Sequence, residues 1–446
     1  MASFAFHTYG CQMNVRESEA AARALQEAGL TLATDEAQAD VVIVNSCSVR
    51  GKAEDKALGK LGLLCATKRE RPGRVVGLMG CMAQRLGDEV FRRVPMLDFS
   101  IGTRCAERVV DAVEAALAGR KTLAMRDLHA EPTALSGHLE DGSFSAFVTI
   151  LLGCNRRCTY CIVPDVRGDE WSRPASEVLA EVRGLAERGV KEVTLLGQSI
   201  MNYGLRTPAW TEADPPSPGG YTLPFPRLLE AVAAIPGIER IRFTSGHPAG
   251  VTDELIRLYK SEPKVCHHLH LPVQSGSSEV LSRMRRGYTR EQYLEAIAKL
   301  RAAVPEMAIT TDVIVGFPGE TEADFEQTRT LMEEAAFDNA FIFKYSPRPG
   351  TVSATWVDDV SEAEKARRNQ VLLGDQDVRG ARLNEQLVGS EQEVLAEGPS
   401  LRNKARWSGR TSANKIVVFE PPEGIRTGDL VRLRIVRAAP QTLYAF

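Results

Sequence analysis

The chain has 446 residues, 43 % of them hydrophobic and 25 % charged, with a formal net charge of −3. This is the composition of an ordinary soluble protein, and the length suits about three domains. No run of eighteen apolar residues exists to span a membrane, and Met1-Ala2-Ser3-Phe4 does not open a signal peptide, so a cytoplasmic protein is expected.

Residues 1 to about 125 alternate short apolar runs with helical patterns. Strands are predicted at 4–8, 41–44, 75–79 and 97–101, and helices at 15–28, 52–69, 83–94 and 106–117. Such alternation predicts a parallel sheet with helices on its faces. Residues 126–142 show no periodicity and read as a connector. From Ser145 the alternation resumes, with strands at 146–152, 192–196, 238–244, 267–271, 309–315 and 341–345. Helical patterns such as 175–188 and 322–335 separate them. Six βα units are too few for a closed eight-stranded barrel and fit a partial barrel open to a large substrate. The loop 203–221, rich in Pro and Gly, is long enough to be either functional or disordered. A charged helix at 361–387 leads into short strands alternating with turns, as at 415–419, 421–424 and 430–436, which read as a small antiparallel β-barrel. Its Arg and Lys residues outnumber Asp and Glu, a local basic surface in an acidic chain, compatible with nucleic acid or with a plain solvated face. The expected domains are therefore 1–125, 140–375 and 380–446.

Nine cysteines in a chain of this kind favour metal or redox chemistry over a disulfide framework. Cys154, Cys158 and Cys161 stand in one loop, spaced C-x3-C-x2-C, directly after an apolar run. Zinc wants four tetrahedral ligands and no fourth Cys or His lies nearby, whereas three thiolates suit a [4Fe–4S] cluster with one iron left open. Cys11, Cys47 and Cys81 each follow a predicted strand of the first domain. In a parallel sheet the carboxyl ends of the strands share one edge, so these three thiols can meet there. One such cysteine alone is more often a small apolar filler; the repeated position points to a second cluster. Cys65, Cys105 and Cys266 show no such placement and read as structural.

These motifs resemble the methylthiotransferase family of radical S-adenosylmethionine (SAM) enzymes, and the resemblance runs along essentially the whole chain. It is carried by Thr8-Tyr9-Gly10-Cys11-Gln12-Met13-Asn14, Asn45-Ser46-Cys47-Ser48-Val49-Arg50 and Gly80-Cys81-Met82-Ala83-Gln84 in the first domain. In the second it is carried by Gly153-Cys154 through Cys161-Ile162-Val163-Pro164, Arg167-Gly168, Trp171-Ser172-Arg173-Pro174, the run His268 to Ser277, Arg286-Gly287-Tyr288-Thr289, Gly316-Phe317-Pro318-Gly319-Glu320-Thr321, and Tyr345 to Thr351. The tail resembles a TRAM domain, an RNA-binding β-barrel. The first signature and Gly409-Arg410-Thr411-Ser412-Ala413-Asn414-Lys415 are typical of the branch that modifies isopentenyladenosine in tRNA. Asp165-Val166, Ser199-Ile200 and Gly246 depart from the common pattern, which has Tyr-Thr, Asn-Val and proline there.

The resemblance implies an amino-terminal parallel α/β domain, a central partial (β/α)6 radical SAM barrel and a carboxy-terminal TRAM barrel. It implies two [4Fe–4S] clusters, a radical one on Cys154, Cys158 and Cys161 and an auxiliary one on Cys11, Cys47 and Cys81. Two SAM molecules per turnover would serve, one methylating a sulfur and one giving the radical. By motif position, SAM contacts are expected from Tyr160, Gln198, Ser245, Gln274 and Gly316, and RNA contacts from Arg410, Thr411, Asn414 and Lys415. The expected reaction adds a methylthio group to C2 of N6-isopentenyladenosine next to the anticodon. An aspartate of a small-subunit ribosomal protein and threonylcarbamoyl-adenosine are the alternative targets. The expected partners are a tRNA anticodon stem-loop and a low-potential electron donor of flavodoxin or ferredoxin type, and the chain is expected to be a monomer. No acid or base is assigned: radical hydrogen abstraction needs none, so His247, His267, His268 and His270 are read as packing residues. An RNA-binding protein with electron-transfer clusters, or a cluster carrier, would leave the SAM-type loop and the open barrel without a purpose.

Overall fold

The computed structural model describes residues 2–48, 51–129, 132 and 142–446. Val49 and Arg50 of the second cysteine signature, and most of the connector 126–142, lie outside the described residues.

The chain opens with β1 (Ser3–Tyr9), α1 (Gln12–Glu27), β2 (Thr31–Leu32), β3 (Val41–Ser46), α2 (Gly51–Thr67), β4 (Val75–Met79), α3 (Cys81–Leu86), α4 (Glu89–Arg93), β5 (Phe99–Ile101), α5 (Val109–Leu117) and β6 (Thr122–Ala124). The strands form one parallel sheet in the order β2-β1-β3-β4-β5-β6. Its middle strands β3 and β4 are buried along their whole length, the continuous apolar pattern of a strand covered on both faces. The single helix expected at 83–94 is two helices, broken at Gly87 with φ +51°. Two short edge strands, β2 and β6, complete the sheet beyond the predicted four.

The central part runs β7 (Ser145–Thr149), β8 (Leu151–Leu152), α6 (Val163–Arg167), β9 (Trp171–Ser172), α7 (Ala175–Glu187), β10 (Glu192–Leu196), α8 (Pro224–Ala233), β11 (Arg240–Phe243), α9 (Asp253–Ser261), β12 (His268–His270), α10 (Ser278–Arg283), α11 (Arg290–Ala303), β13 (Ala308–Val315), α12 (Glu322–Ala335), β14 (Asn339–Lys344) and α13 (Glu362–Glu385). Two parallel three-stranded sheets, β7-β10-β11 and β12-β13-β14, are joined where Ile241 N–H donates to the Lys264 carbonyl (2.8 Å) and Cys266 N–H to the Ile241 carbonyl (3.0 Å). This is the expected open barrel, with one large apolar core between strands and outer helices. β8 and β9 form a small antiparallel pair beside it. The loop 203–221 is ordered by packing: Tyr203 and Tyr221 are buried, and the Arg227 guanidinium lies 3.9 Å over the Trp210 ring.

The tail comprises β15 (Glu391–Pro399), β16 (Trp407–Thr411), β17 (Ile416–Phe419), β18 (Leu430–Ala439) and β19 (Thr442–Ala445), closed in the order β15-β16-β17-β19-β18. Residues 421–424 form the turn after β17, where Pro421 and Pro422 bring no N–H for a ladder.

Candidate functional site

The first-domain sheet reverses its winding between β1 and β3, since β2 lies outside β1 and the later strands follow β3. Ligands bind at the carboxyl edge beside such a reversal. Cys11 and Cys47 leave the two strands flanking it, and Cys81 leaves β4 beside them. Two buried asparagines tie these loops together. Asn14 Nδ2 donates to Asn45 Oδ1 (2.9 Å), and Asn45 Nδ2 donates to the Asn14 carbonyl (2.9 Å) and Ser18 Oγ (3.0 Å). Asn14 Oδ1 also accepts from the Cys11 N–H (3.3 Å), capping α1. Gly80, at φ +91°, lies so close that an added Cβ would stand 2.3 Å from Asn45 Oδ1. The Cys47 thiol sits between those of Cys11 and Cys81 within hydrogen-bonding reach. Its hydrogen bonds hold Cys11 and Cys81 below the ordinary thiol range, against the cost of burial, while Cys47 itself is pushed up.

The second loop is clasped on three sides. Gly153 has φ +76°, and an added Cβ would meet the Asp169 carbonyl oxygen at 2.0 Å, so only glycine can lead into the first cysteine. Cys154 N–H donates to the Gly168 carbonyl (3.0 Å), Thr159 N–H to the Met284 carbonyl (3.2 Å), and Ser353 N–H to the Thr159 carbonyl (2.8 Å). Burial raises the Cys154 thiol to about 11, and burial together with the Cys158 charge raises Cys161 to about 12. Both therefore release protons on binding a metal.

The helix α6 begins right after Cys161 of the second triad and lies against Cys81 of the first. Cys81 packs against Ile162 and Val166, and Cys11 against the cluster of Met13, Leu152 and Leu196. Across this apolar wall Arg167 reaches from α6 to Glu17 of α1 (Nη1 to Oε1 2.8 Å), both buried. The charges of Cys81, Glu17 and Cys11 keep its guanidinium protonated against burial. Among the described residues no three His, Cys, Asp or Glu side chains form a ready single-ion site. Three thiols apiece are the donor set of an iron–sulfur cluster with one iron left for an outside ligand.

The residues expected to touch SAM come together at the carboxyl edge of the barrel. Gln198 follows β10, and its Oε1 accepts from the Gly153 N–H (2.5 Å). Its Nε2 is buried without a protein partner, a donor left for a bound group. Ser245 and Gln274 follow β11 and β12 with φ +65° and +72°, and Gly316 follows β13 with φ +70°. Left-handed backbone at a non-glycine costs roughly 1–3 kcal/mol and gathers at binding sites, so its recurrence on one edge supports a built site. The Gly316 N–H is taken by Glu320 Oε2 (2.5 Å), which leaves its carbonyl as the group it can offer. Tyr160 meets Phe317 edge-on, with centroids 6.5 Å apart, and forms an aromatic wall. Of the three departures from the common pattern, Ser199 and Gly246 lie in the loops after β10 and β11 at this same edge, and Asp165 lies in α6.

Comparison with known proteins agrees along the chain. Residues 148–332 match the Radical SAM superfamily, 3–102 the Uncharacterized protein family UPF0004, and 385–445 the TRAM domain. A tRNA-2-methylthio-N(6)-dimethylallyladenosine synthase of Akkermansia muciniphila is 45 % identical over 456 residues, covering 98 % of this chain and 97 % of its own. The enzyme of the same name from Geobacter metallireducens is 44 % identical, over 98 % of this chain and 96 % of its own. The chain belongs to the methylthiotransferase family of radical SAM enzymes. Among solved structures it resembles the radical SAM methyltransferase TsrM of Kitasatospora setae, with a TM-score of 0.57 at 13 % identity over 90 % of this chain and 83 % of that one. At that identity the likeness concerns the fold alone.

In this methylthiotransferase the residues expected to touch RNA are placed away from the cysteine edge. The β16–β17 turn docks on the amino ends of the barrel strands. Arg240 donates to the carbonyl of Arg410 (2.6 Å), and Arg242 to those of Ser412 (3.1 Å) and Thr411 (2.8 Å). His267 N–H donates to Ser412 Oγ (2.9 Å), and Lys415 pairs with Asp338 (2.7 Å) just before β14. Thr411 is buried, and Arg410 pairs with Glu397 (3.0 Å) while contacting Asn414 Oδ1 (3.3 Å). The turn thus joins the tail to the amino ends of β11, β12 and β14. Arg402, Lys404, Arg426, Arg432, Arg434 and Arg437 remain exposed. Two site residues carry no role in the motif reading, Arg167 and Arg286. Both stand inside family signatures, and only their long-range partners reveal what they do.

Proposed function

We propose that this methylthiotransferase adds a methylthio group to C2 of N6-isopentenyladenosine at position 37 of tRNA, next to the anticodon. The observation that carries the reading is the packing of Cys81, from the thiol triad on the sheet edge, against α6, the short helix that follows the thiol triad of the SAM-type barrel loop. The relatives' shared name speaks for the tRNA substrate and against the ribosomal-protein and threonylcarbamoyl alternatives. Cys154, Cys158 and Cys161 would hold the radical cluster, and Cys11, Cys47 and Cys81 the auxiliary one. When bound, the clusters and SAM supply the radical and the sulfur that an unactivated aromatic C–H requires. Gln198, Ser245, Gln274 and Gly316 present polar groups to SAM, Tyr160 and Phe317 wall the site, and the apolar side chains of Leu152, Met13 and Ile162 keep water from the space between the triads. The exposed basic face of the tail contacts tRNA phosphates, and a low-potential flavodoxin- or ferredoxin-type protein delivers electrons to a cytoplasmic monomer. Among the described residues no helix is long and apolar enough to cross a membrane.

Anaerobically reconstituted chain, given SAM, reductant and isopentenylated tRNA, should yield both 5′-deoxyadenosine and the methylthiolated nucleoside by mass spectrometry. Cys47→Ala should still cleave SAM and make no methylthio product. Wild-type product from Cys47→Ala would overturn the role of the first-domain triad.

A further inference from the structure

Arg286 is buried, 8 % exposed, at the heart of the barrel beside the radical loop. Each of its three nitrogens has a partner. Nε donates to the Tyr288 hydroxyl (3.1 Å), Nη2 to the Pro272 carbonyl (3.0 Å), and Nη1 points at Cys158 Sγ (3.5 Å). Tyr288 is itself fixed, its hydroxyl donating to the Val273 carbonyl (2.8 Å). Among the described residues no carboxylate pairs with Arg286, in contrast to Arg167, whose charge is met by Glu17. His247 packs on the other side: its Nε2 lies 3.3 Å from the Arg286 carbonyl, and its ring meets Tyr288 edge-on at 5.2 Å. An uncompensated cation in a dry interior is costly unless something anionic shares the site. Among the described residues the anionic candidates in contact are the sulfur of Cys158, once a thiolate, and whatever that thiolate binds.

We propose that Arg286 is a positioning residue that sets the reduction potential of the cluster held at Cys154, Cys158 and Cys161, by an N–H···S bond to Cys158 and by its unshared charge. The inference rests on the assignment of those cysteines as ligands. One-electron reduction makes a cluster more negative, and a fixed cation with a hydrogen bond to a ligating sulfur favours that reduced form. Arg286 therefore raises the potential towards what a biological donor can reach. Its removal should leave the ligands in place and make the cluster harder to reduce.

The test uses the full chain carrying Cys11→Ala, Cys47→Ala and Cys81→Ala, so that one cluster remains, followed by electron paramagnetic resonance during a redox titration without SAM. Arg286→Gln should lower the midpoint potential so that the reduced fraction falls about tenfold at fixed poise, about 59 mV for one electron. Arg286→Lys, which keeps the charge, should stay nearer the parent. Tyr288→Phe, which loosens the Nε anchor, should shift the same way by less and covers the case in which the glutamine variant does not fold. Unchanged potential in an iron-replete Arg286→Gln, or in Tyr288→Phe where the glutamine variant is lost, would overturn the proposal. A parent chain that binds no cluster would instead refute the ligand assignment, and the proposal with it.

Discussion

At the residue scale, the first-domain thiols are brought together by groups that are not ligands. Asn45 is completely buried and makes three hydrogen bonds, two of them to Asn14, so it brackets the loops of Cys11 and Cys47, while Gly80 keeps the Cys81 loop close against it. Replacing it by alanine strands the buried Asn14 Nδ2 without a partner, at a cost of about 1–3 kcal/mol, and removes the second hydrogen bond to the Asn14 carbonyl. Asn45→Ala should therefore retain about four irons per chain, those of the barrel loop, where the parent holds about eight. Iron assay after anaerobic gel filtration measures this, and full retention would show that the asparagine brace is dispensable. The cysteines themselves were legible in the sequence, because each follows an apolar run that had to be a strand. The arginines were not. Arg167 meets a glutamate 150 positions away and Arg286 a cysteine 128 positions away, and no local spacing encodes such partners.

At the element scale, strands with a full apolar pattern were found where the pattern put them, since burial on both faces leaves little choice of residue. The edge strands β2 and β6, with two and three residues, carry too little pattern to be read and exist because a neighbouring strand offers them a ladder. The β16–β17 turn shows the same limit. Its residues read as a basic motif for RNA, yet their backbone carbonyls and the Lys415 ammonium are used to dock one barrel on another. Deleting 388–446 would accordingly strip Arg240 of its partners and leave Arg242 with Glu192 alone, unsettling the central barrel, so it cannot isolate an RNA function. Exposed Arg432 and Arg434 on β18 can, although Glu393 and Glu391 stand opposite them on β15. Arg432→Ala with Arg434→Ala should leave the melting temperature within about 1 °C, as surface changes do. The same pair should weaken tRNA binding and reduce the slope of log K against log salt by about 0.7 to 0.9 for each phosphate no longer neutralised. Unchanged binding and slope would move the RNA surface elsewhere on the molecule.

At the scale of the whole molecule, the domains are held to each other by buried charge. Glu17 meets Arg167, Arg16 meets Glu181, and Arg242 joins Glu192 to the tail. Two buried histidines sit near buried arginines, His268 near Arg242 and His247 near Arg286. Burial, then Arg286 and Arg156, bring His247 down to about 2; burial, then Arg242 and His270, bring His268 down to about 3. Their unfolded value is about 6.5, so below that pH the unfolded chain takes up protons that the folded chain refuses. Stability is then unaffected above pH 6.5 and falls as the pH drops towards 3, with a slope of up to about 1.4 kcal/mol per pH unit for each histidine. Buried carboxylates act in the opposite sense where burial raises them, as at Glu17 and Glu320, and so offset part of the loss. Urea unfolding of the metal-free chain between pH 7.5 and 5.5 should show the midpoint falling only below about pH 6.5, and His268→Gln should remove about half of that fall, since its partner Thr310 Oγ1 lies 3.2 Å from Nε2 and can meet an amide instead. A midpoint that declines equally in the variant would assign the acid sensitivity to another group.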